Sequence, residues 1–119
     1  MDLLTDTILK RLAANGRENH DRLLSGLDTI DHRPVVKLFT PDAEATWLLT
    51  ETHPNDPDVA FGLCDLGLGF PEIGSVRLSD IRAVRGRLGL PVERDLHFEP
   101  DATLGTYAER ARAAGGLVA

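Results

Sequence analysis

The sequence predicts an α+β fold in which a small antiparallel sheet of four or five strands packs against N- and C-terminal helices. Three apolar or β-branched runs, residues 35–40, 46–51 and 59–66, follow one another with short connections. This spacing favours an antiparallel meander, because parallel neighbours need a helical crossover between each pair. Apolar residues recur at helical spacing near both ends of the chain. A length of 119 residues suits a single domain with one hydrophobic core.

The N-terminal region predicts two helical segments. Thr5 supplies a capping hydroxyl and Asp6 a first-turn carboxylate, so a helix begins there. Asn15-Gly16 is expected to end it, because both residues are typical of helix termini. A second amphipathic segment is predicted over residues 18–25, and a polar connection leads from it to the first strand. The apolar stripes of the two segments are Ile8, Leu9, Leu12 and Ala13, then His20, Leu23, Leu24 and Leu27.

The three runs predict the central strands of the sheet. The first, residues 35–40, stops at Pro41-Asp42, and residues 46–51 form its hairpin partner. Residues 52–58 are so rich in Pro, Asn and Asp that a surface loop is expected before the third strand. In that third strand, Ala60, Gly62 and Cys64 share one face. Such a small-residue face favours a closely packed helix, with a ligand as the alternative.

After the third strand, residues 67–74 contain three glycines and predict a loop. A fourth strand is expected over residues 75–78. Ser79-Asp80 then caps a short helix that ends at Val84 or Arg85.

The last third of the chain begins with an irregular stretch, residues 86–95, before a short edge strand predicted over residues 96–98. Pro100 ends that strand. Asp101 or Thr103 opens the final helix, and Gly115-Gly116 ends it. The apolar stripe of this helix is Leu104, Tyr107, Ala108 and Ala111.

Composition limits the classes of partner. The formal net charge is -6, with 19 acidic and 13 basic side chains, so no direct nucleic-acid binding is expected. A macromolecular partner would more naturally be a basic protein. The single cysteine excludes a disulfide within the chain, and the start of the sequence lacks the features of a signal peptide, which predicts a cytoplasmic protein. No apolar run reaches the roughly 20 residues of a membrane span, so no membrane association is expected.

Motifs that would name a reaction are missing from the sequence. The glycine-rich stretch lacks the Lys-Ser/Thr pair or helix start of a phosphate-binding loop, and neither a metal-ligand spacing nor a nucleophile elbow occurs. No cofactor or metal is therefore predicted. Cys64 lies in an apolar strand and is typical of a small buried residue, although a nucleophile is the alternative. Trp47 is predicted to anchor the core, with an interface role as the alternative.

The least conventional feature is a set of carboxylates near strand ends. Glu51 closes the second predicted strand, Asp65 lies near the end of the third, and Glu72 follows in the glycine loop. Asp65 and Glu72 are the better pair, because ends of successive antiparallel strands lie at opposite edges. His97 or Arg94 could join them in a pocket. The alternative is structural, with the carboxylates accepting backbone amides of the next turn.

Several segments resemble a known family. The chain is similar, over nearly its whole length, to the small bacterial proteins grouped as domain of unknown function 2958. The resemblance implies a stand-alone bacterial protein that often accompanies plasmids and other mobile elements. It implies no activity, cofactor or catalytic residue. The segments that carry it are Arg-Pro-Val-Val-Lys-Leu-Phe from Arg33, Ala-Thr-Trp-Leu-Leu-Thr-Glu from Ala45, Phe-Gly-Leu-Cys-Asp-Leu-Gly from Phe61 and Pro-Glu-Ile-Gly from Pro71.

Two classes of function follow. The favoured one is a non-enzymatic accessory protein of a bacterial mobile element that binds another protein, with acidic mimicry of DNA as one form of it. The alternative is a small enzyme with a carboxylate-lined pocket near Asp65 and Glu72. The sequence leaves the oligomeric state open.

Overall fold

A computed structural model describes residues 2–119. Within them the chain forms a five-stranded antiparallel sheet in the spatial order β4-β3-β2-β1-β5, together with three helices. This confirms the predicted α+β fold with N- and C-terminal helices. The elements are α1 (Asp6–Leu24), β1 (Val36–Phe39), β2 (Thr46–His53), β3 (Asp56–Asp65), β4 (Glu72–Arg77), α2 (Leu78–Ala83), β5 (Glu93–Arg94) and α3 (Leu104–Ala114).

The sheet lies between helices, and each face has its own apolar cluster. On the first face, Trp47 and Leu49 of β2 pack with Leu12 of α1 and Ile81 of α2. On the second face, Leu48 and its neighbours pack under α3. Alternation along the strands separates the two clusters, because successive side chains of a strand point to opposite faces. The second cluster consists of Leu48, Leu63, Leu104, Tyr107, Ala108 and Ala111.

The predicted break at Asn15-Gly16 is wrong, since α1 is continuous from Asp6 to Leu24. Asn15 donates a hydrogen bond from Nδ2 to the Thr50 carbonyl oxygen at 2.9 Å. A Cβ built on Gly16 would lie 1.7 Å from the Thr52 carbonyl oxygen. At these two residues α1 therefore lies directly against β2, and tertiary packing overrides their preference for helix ends. The predicted cap at Thr5 is confirmed, because its hydroxyl accepts the amide of Ile8 at 3.2 Å.

The predicted loop over residues 52–58 is also wrong. β2 continues to His53, Pro54 and Asn55 make the turn, and β3 begins at Asp56. Pro57 thus lies inside a strand. The β2–β3 register shifts between Thr52 and His53, and an irregular stretch of this kind tolerates a residue without a backbone N–H.

Two further boundaries differ. β4 starts at Glu72, so part of the predicted glycine loop belongs to a strand. The edge strand is Glu93–Arg94, paired with β1, and the prediction of a strand over residues 96–98 is wrong. A two-residue pairing leaves no periodic signal in the sequence, because a single alternation cannot be distinguished from a loop. As predicted, α3 begins after Thr103 and ends at Gly115, and Gly115 adopts the left-handed conformation.

Candidate interaction surface

The two edges of the sheet differ in length and protection. At one edge, β5 contains just Glu93 and Arg94, both charged. Arg94 also donates from Nη1 to the carbonyl oxygen of Leu3 at 2.7 Å, which holds the N-terminal segment beside this edge. Short length, charge and coverage are the usual protections against edge-to-edge association. The β5 edge has all three.

At the other edge, β4 is a six-residue strand that pairs with β3 on one side. All its residues are exposed except Val76, which is half-buried. Charged side chains stand at its two ends, Glu72 and Arg77, while residues 73–76 carry neither charge nor proline. The outward backbone groups of β4 thus form an open template for another strand.

The loop between β3 and β4 adds apolar surface at one end of this edge. Leu68 is 71% exposed and Phe70 is 77% exposed, with Leu66 more than half exposed between them and β3. Gly67 and Gly69 both adopt positive φ angles, and these conformations turn the loop tightly. Three neighbouring apolar side chains held towards water are typical of an interaction site. We refer to residues 66–71 as the apolar loop.

A groove of about 440 Å³ lies beside β4 and continues around the end of β2 to α1. Phe61 of β3 and Ile73 of β4 form its apolar floor, and they are 37% and 38% exposed. Polar side chains line the rest of the groove together with further apolar ones. Its other lining residues include Asn19, His20, Leu23, Ile30, Asp31, Glu51, His53, Ser75 and Leu104.

Three side chains form a cross-strand row in this groove. Glu51 of β2 is paired with Phe61 of β3, which is paired with Ser75 of β4. Directly opposite residues in a sheet share a face, so this row lies on the second face, beyond the part that α3 covers. Asn19 donates from Nδ2 to Glu51 Oε1 at 3.0 Å and fixes the carboxylate at the end of the row.

A second groove, of about 880 Å³, lies at the β5 edge and is lined in part by Lys37, Arg94 and His97. Several of its charged side chains are engaged in contacts within the chain. Lys37 Nζ lies 3.6 Å from Asp95 Oδ2 and donates to the backbone oxygen of Ala119 at 3.0 Å. The backbone N–H of His97 donates to Asp95 Oδ1 at 2.9 Å. These contacts stabilise the turn after β5.

The carboxylates singled out from the sequence do not form a common site. Asp65 is buried, and both its oxygens accept backbone amides, from Gly67 at 2.8 Å and from Leu117 at 2.7 Å. Glu72 is exposed at the start of β4. Glu51 lines the groove beside β4, whereas His97 lies at the opposite edge of the sheet. Asp65 therefore has the structural role considered as the alternative, holding the apolar loop and the C-terminal segment.

Trp47 and Cys64 are neighbours on the first face, paired across β2 and β3. Trp47 is a buried member of the core cluster, as predicted. Burial raises the pKa of the Cys64 thiol, and the negative charges of Asp65 and Glu72 raise it further. A thiol with a raised pKa is a poor nucleophile at neutral pH. Cys64 therefore acts as a small core residue.

The β4 edge and its groove were not anticipated from the sequence. The signal available was the alternation of glycine with Leu66, Leu68 and Phe70, an apolar pattern inside a segment that turn residues mark as a loop. Whether a strand lies at an edge depends on strand order in space, which local periodicity does not encode.

A family model described as "Protein of unknown function (DUF2958)" matches residues 3–118 of the chain. No curated protein and no solved structure shows significant similarity to it. Within residues 2–119, no helix is both long and apolar enough to cross a membrane. In the same residues, no three His, Cys, Asp or Glu side chains converge as metal ligands would.

Proposed function

The chain belongs to the DUF2958 family of proteins of unknown function, and we propose that it is a protein-binding domain whose contact surface is the β4 edge with the adjoining apolar loop. The observation that carries the proposal is the contrast between the two sheet edges. β5 is short, charged and covered, whereas β4 is long, uncharged over residues 73–76 and open. An edge that lacks the usual protections is a site for strand addition.

The apolar loop supports the same proposal. Strand addition supplies hydrogen bonds along the edge, and affinity then depends on buried apolar anchors near the centre of the contact. Phe70 is 77% exposed and precedes β4 by two residues, so a partner strand that extends past the start of β4 would cover it. Aromatic side chains are enriched among the residues that dominate binding energy.

Charge indicates the kind of partner. The formal net charge of -6 favours encounter with a basic protein and opposes binding to a phosphate backbone. The further role, as an accessory protein of a bacterial mobile element, rests on the family resemblance alone. The protein acts in this proposal by binding, without a reaction of its own.

Affinity capture from bacterial lysate, with paired lysine substitutions, tests the proposal. Phe70→Lys and Ile73→Lys place a charge on the loop and on β4. Leu88→Lys and Leu90→Lys are matched controls away from that edge, since Leu88 is 80% exposed and Leu90 is 43% exposed. Each substitution adds one positive charge at a partly or largely exposed leucine, isoleucine or phenylalanine. We expect a partner that is retained by the wild type and both controls and is lost from the two test variants.

All four variants should first be shown to fold, by circular dichroism and by denaturant unfolding. Equal retention of every captured protein by the test variants and the controls would contradict a binding role for β4. Capture of a partner that is lost only with Leu88→Lys or Leu90→Lys would move the interaction surface to another part of the molecule.

A further inference from the structure

Building on the proposed function, we infer that the segment accepted by β4 is an extended strand in which an arginine and an apolar residue are two positions apart. The apolar side chain packs on Ile73, and the guanidinium crosses Ser75 to lie over Phe61, facing Glu51. The inference depends on β4 being the binding edge, and it adds the chemistry of the partner. It comes from the order of side chains across the second face.

Strand geometry fixes where the side chains of an added strand would lie. Neighbouring strands are about 4.8 Å apart, and directly opposite residues point to the same face. Residues opposite Ile73 and Ser75 would therefore both point to the second face, into the groove of about 440 Å³. Their separation on the ligand is two positions, because side chains alternate along a strand.

The row behind Ser75 suits a long cation. Ser75 is small, so a side chain opposite it can extend across β4 towards Phe61, which lies about 10 Å from the added strand, two strand spacings away. The exposed part of the Phe61 ring offers a cation–π surface. Beyond it, Glu51 uses Oε1 to accept from Asn19, and no hydrogen bond within residues 2–119 occupies Oε2. Arginine fits best, because its planar group stacks on aromatic rings and pairs with carboxylates.

The charges around the row favour a cation. Among the described residues 2–119, no lysine or arginine lines the groove, while Glu51 and Asp31 both do. Arg77, at the far end of β4, is already paired with acidic side chains: its Nη1 lies 3.3 Å from Asp56 Oδ2 and 3.5 Å from Asp58 Oδ2. One positive charge is thus paired with two negative charges. An acidic side chain on the ligand would meet an unfavourable potential.

Behind Ile73 the surface is apolar. Ile73 is paired with Leu63, which is fully buried under α3. A ligand side chain opposite Ile73 would therefore pack on the partly exposed Ile73 side chain, next to the core. Apolar contact there excludes water from the flanking backbone hydrogen bonds. The two positions together predict a ligand with one apolar and one cationic side chain on the inward face.

The test uses blocked heptapeptides and the full chain labelled with nitrogen-15. The first peptide has a valine and an arginine two positions apart among serines and threonines. The others replace the arginine with citrulline or with glutamate. We expect amide shifts in β4, and affinity for the arginine peptide roughly tenfold above that for the glutamate peptide, a factor equal to about 1.4 kcal/mol. Phe61→Leu and Glu51→Gln should each reduce that preference several-fold while β4 shifts persist.

The outcomes separate this inference from the proposal beneath it. Equal binding of all three peptides at β4 would overturn the arginine inference and leave the β4 edge as a binding site. Absence of β4 shifts with every peptide would overturn both. A dimer of this chain that pairs through β4 in sedimentation and shift experiments, and resists the arginine peptide, would assign the edge to a second copy and also overturn the inference.

Discussion

Gly16 lies where α1 packs directly against the backbone of β2. The site of a Cβ is only 1.7 Å from the Thr52 carbonyl oxygen, which is backbone and cannot swing away. We expect Gly16→Ala to destabilise the protein by about 3 kcal/mol, because α1 must shift off β2. Urea unfolding followed by circular dichroism measures the change.

Gly74→Ala is the matched control for that prediction. Nothing lies within 4 Å of a Cβ built at Gly74, and its φ angle is not positive. We expect a change within about 0.5 kcal/mol, as for other exposed sites. If both variants lose a similar free energy of unfolding, the close approach of α1 to β2 does not explain why position 16 is a glycine.

Asp65 offers a second test at the scale of single residues. Its two oxygens each accept a backbone amide, from Gly67 and from Leu117. In Asp65→Asn one oxygen becomes an N–H₂ group that faces a donor, so we expect a loss of about 2 kcal/mol in the free energy of unfolding. Glu72→Gln, at an exposed position, should change it by less than about 0.5 kcal/mol. If Asp65→Asn is as stable as the wild type, the structural role of Asp65 is contradicted and a role in a reactive site becomes the better explanation.

At the scale of elements, most strands and both terminal helices could be predicted, because period and capping are local properties. β1, β2 and β3 overlap the three predicted runs, and α1 begins after Thr5 and α3 ends at Gly115 as expected. The errors lie where a distant contact overrides a local preference. Glycine at position 16 predicts a helix end, but it lies inside α1 because the Thr52 backbone leaves no room for a side chain there. Pro57 predicts a loop, but it lies inside β3, where the shift in register accommodates a residue without a backbone N–H.

The start of α3 carries a pH-dependent contact. Asp101 Oδ1 accepts from Arg110 at 2.9 Å and from the Tyr107 hydroxyl at 2.8 Å. The hydrogen bond from Arg110 is the largest cause, and with that from Tyr107 it lowers the pKa of Asp101 below its ordinary value of 3.8. A lowered pKa in the folded state means that the contribution to stability is present above 3.8 and is lost as the pH falls through the lowered value.

Asp101→Asn should therefore be less stable than the wild type at neutral pH, and the difference should shrink as the pH falls below 3.8. Thermal unfolding of both proteins over a pH series measures it. The Asp101 side chain is largely exposed, so the effect is small and should weaken further in salt. A difference that stays constant over the series would show that the ionised carboxylate is not the stabilising species.

At the scale of the whole molecule, the candidate site could be predicted only in pieces. Glu51 does line the groove beside β4, but Asp65 is committed to backbone amides and His97 lies at the far edge. The row Glu51, Phe61 and Ser75 joins three strands, and only strand order and register bring it together. Strand order and register both depend on contacts between distant segments, so the local pattern of residues does not predict them.

The net charge of the molecule gives a prediction for the captured partner. With a formal charge of -6, attraction to a basic protein is partly long-range, so retention should fall several-fold between low and moderate salt. Repeating the capture across a salt series and quantifying the partner by mass spectrometry measures this. Retention that is independent of salt would leave apolar burial at Phe70 and strand pairing as the dominant contributions.

The order of the strands also decides how the chain folds. β1, β2, β3 and β4 are neighbours both along the sequence and across the sheet, so each pairing closes a short loop at little entropic cost. β5 must instead return past three strands and α2 to reach β1, and it then gains just two paired residues. Low contact order favours early formation of the meander, with β5 docking late. In native-state hydrogen exchange, the amides of β5 should accordingly open first, and those of β2 and β3 last.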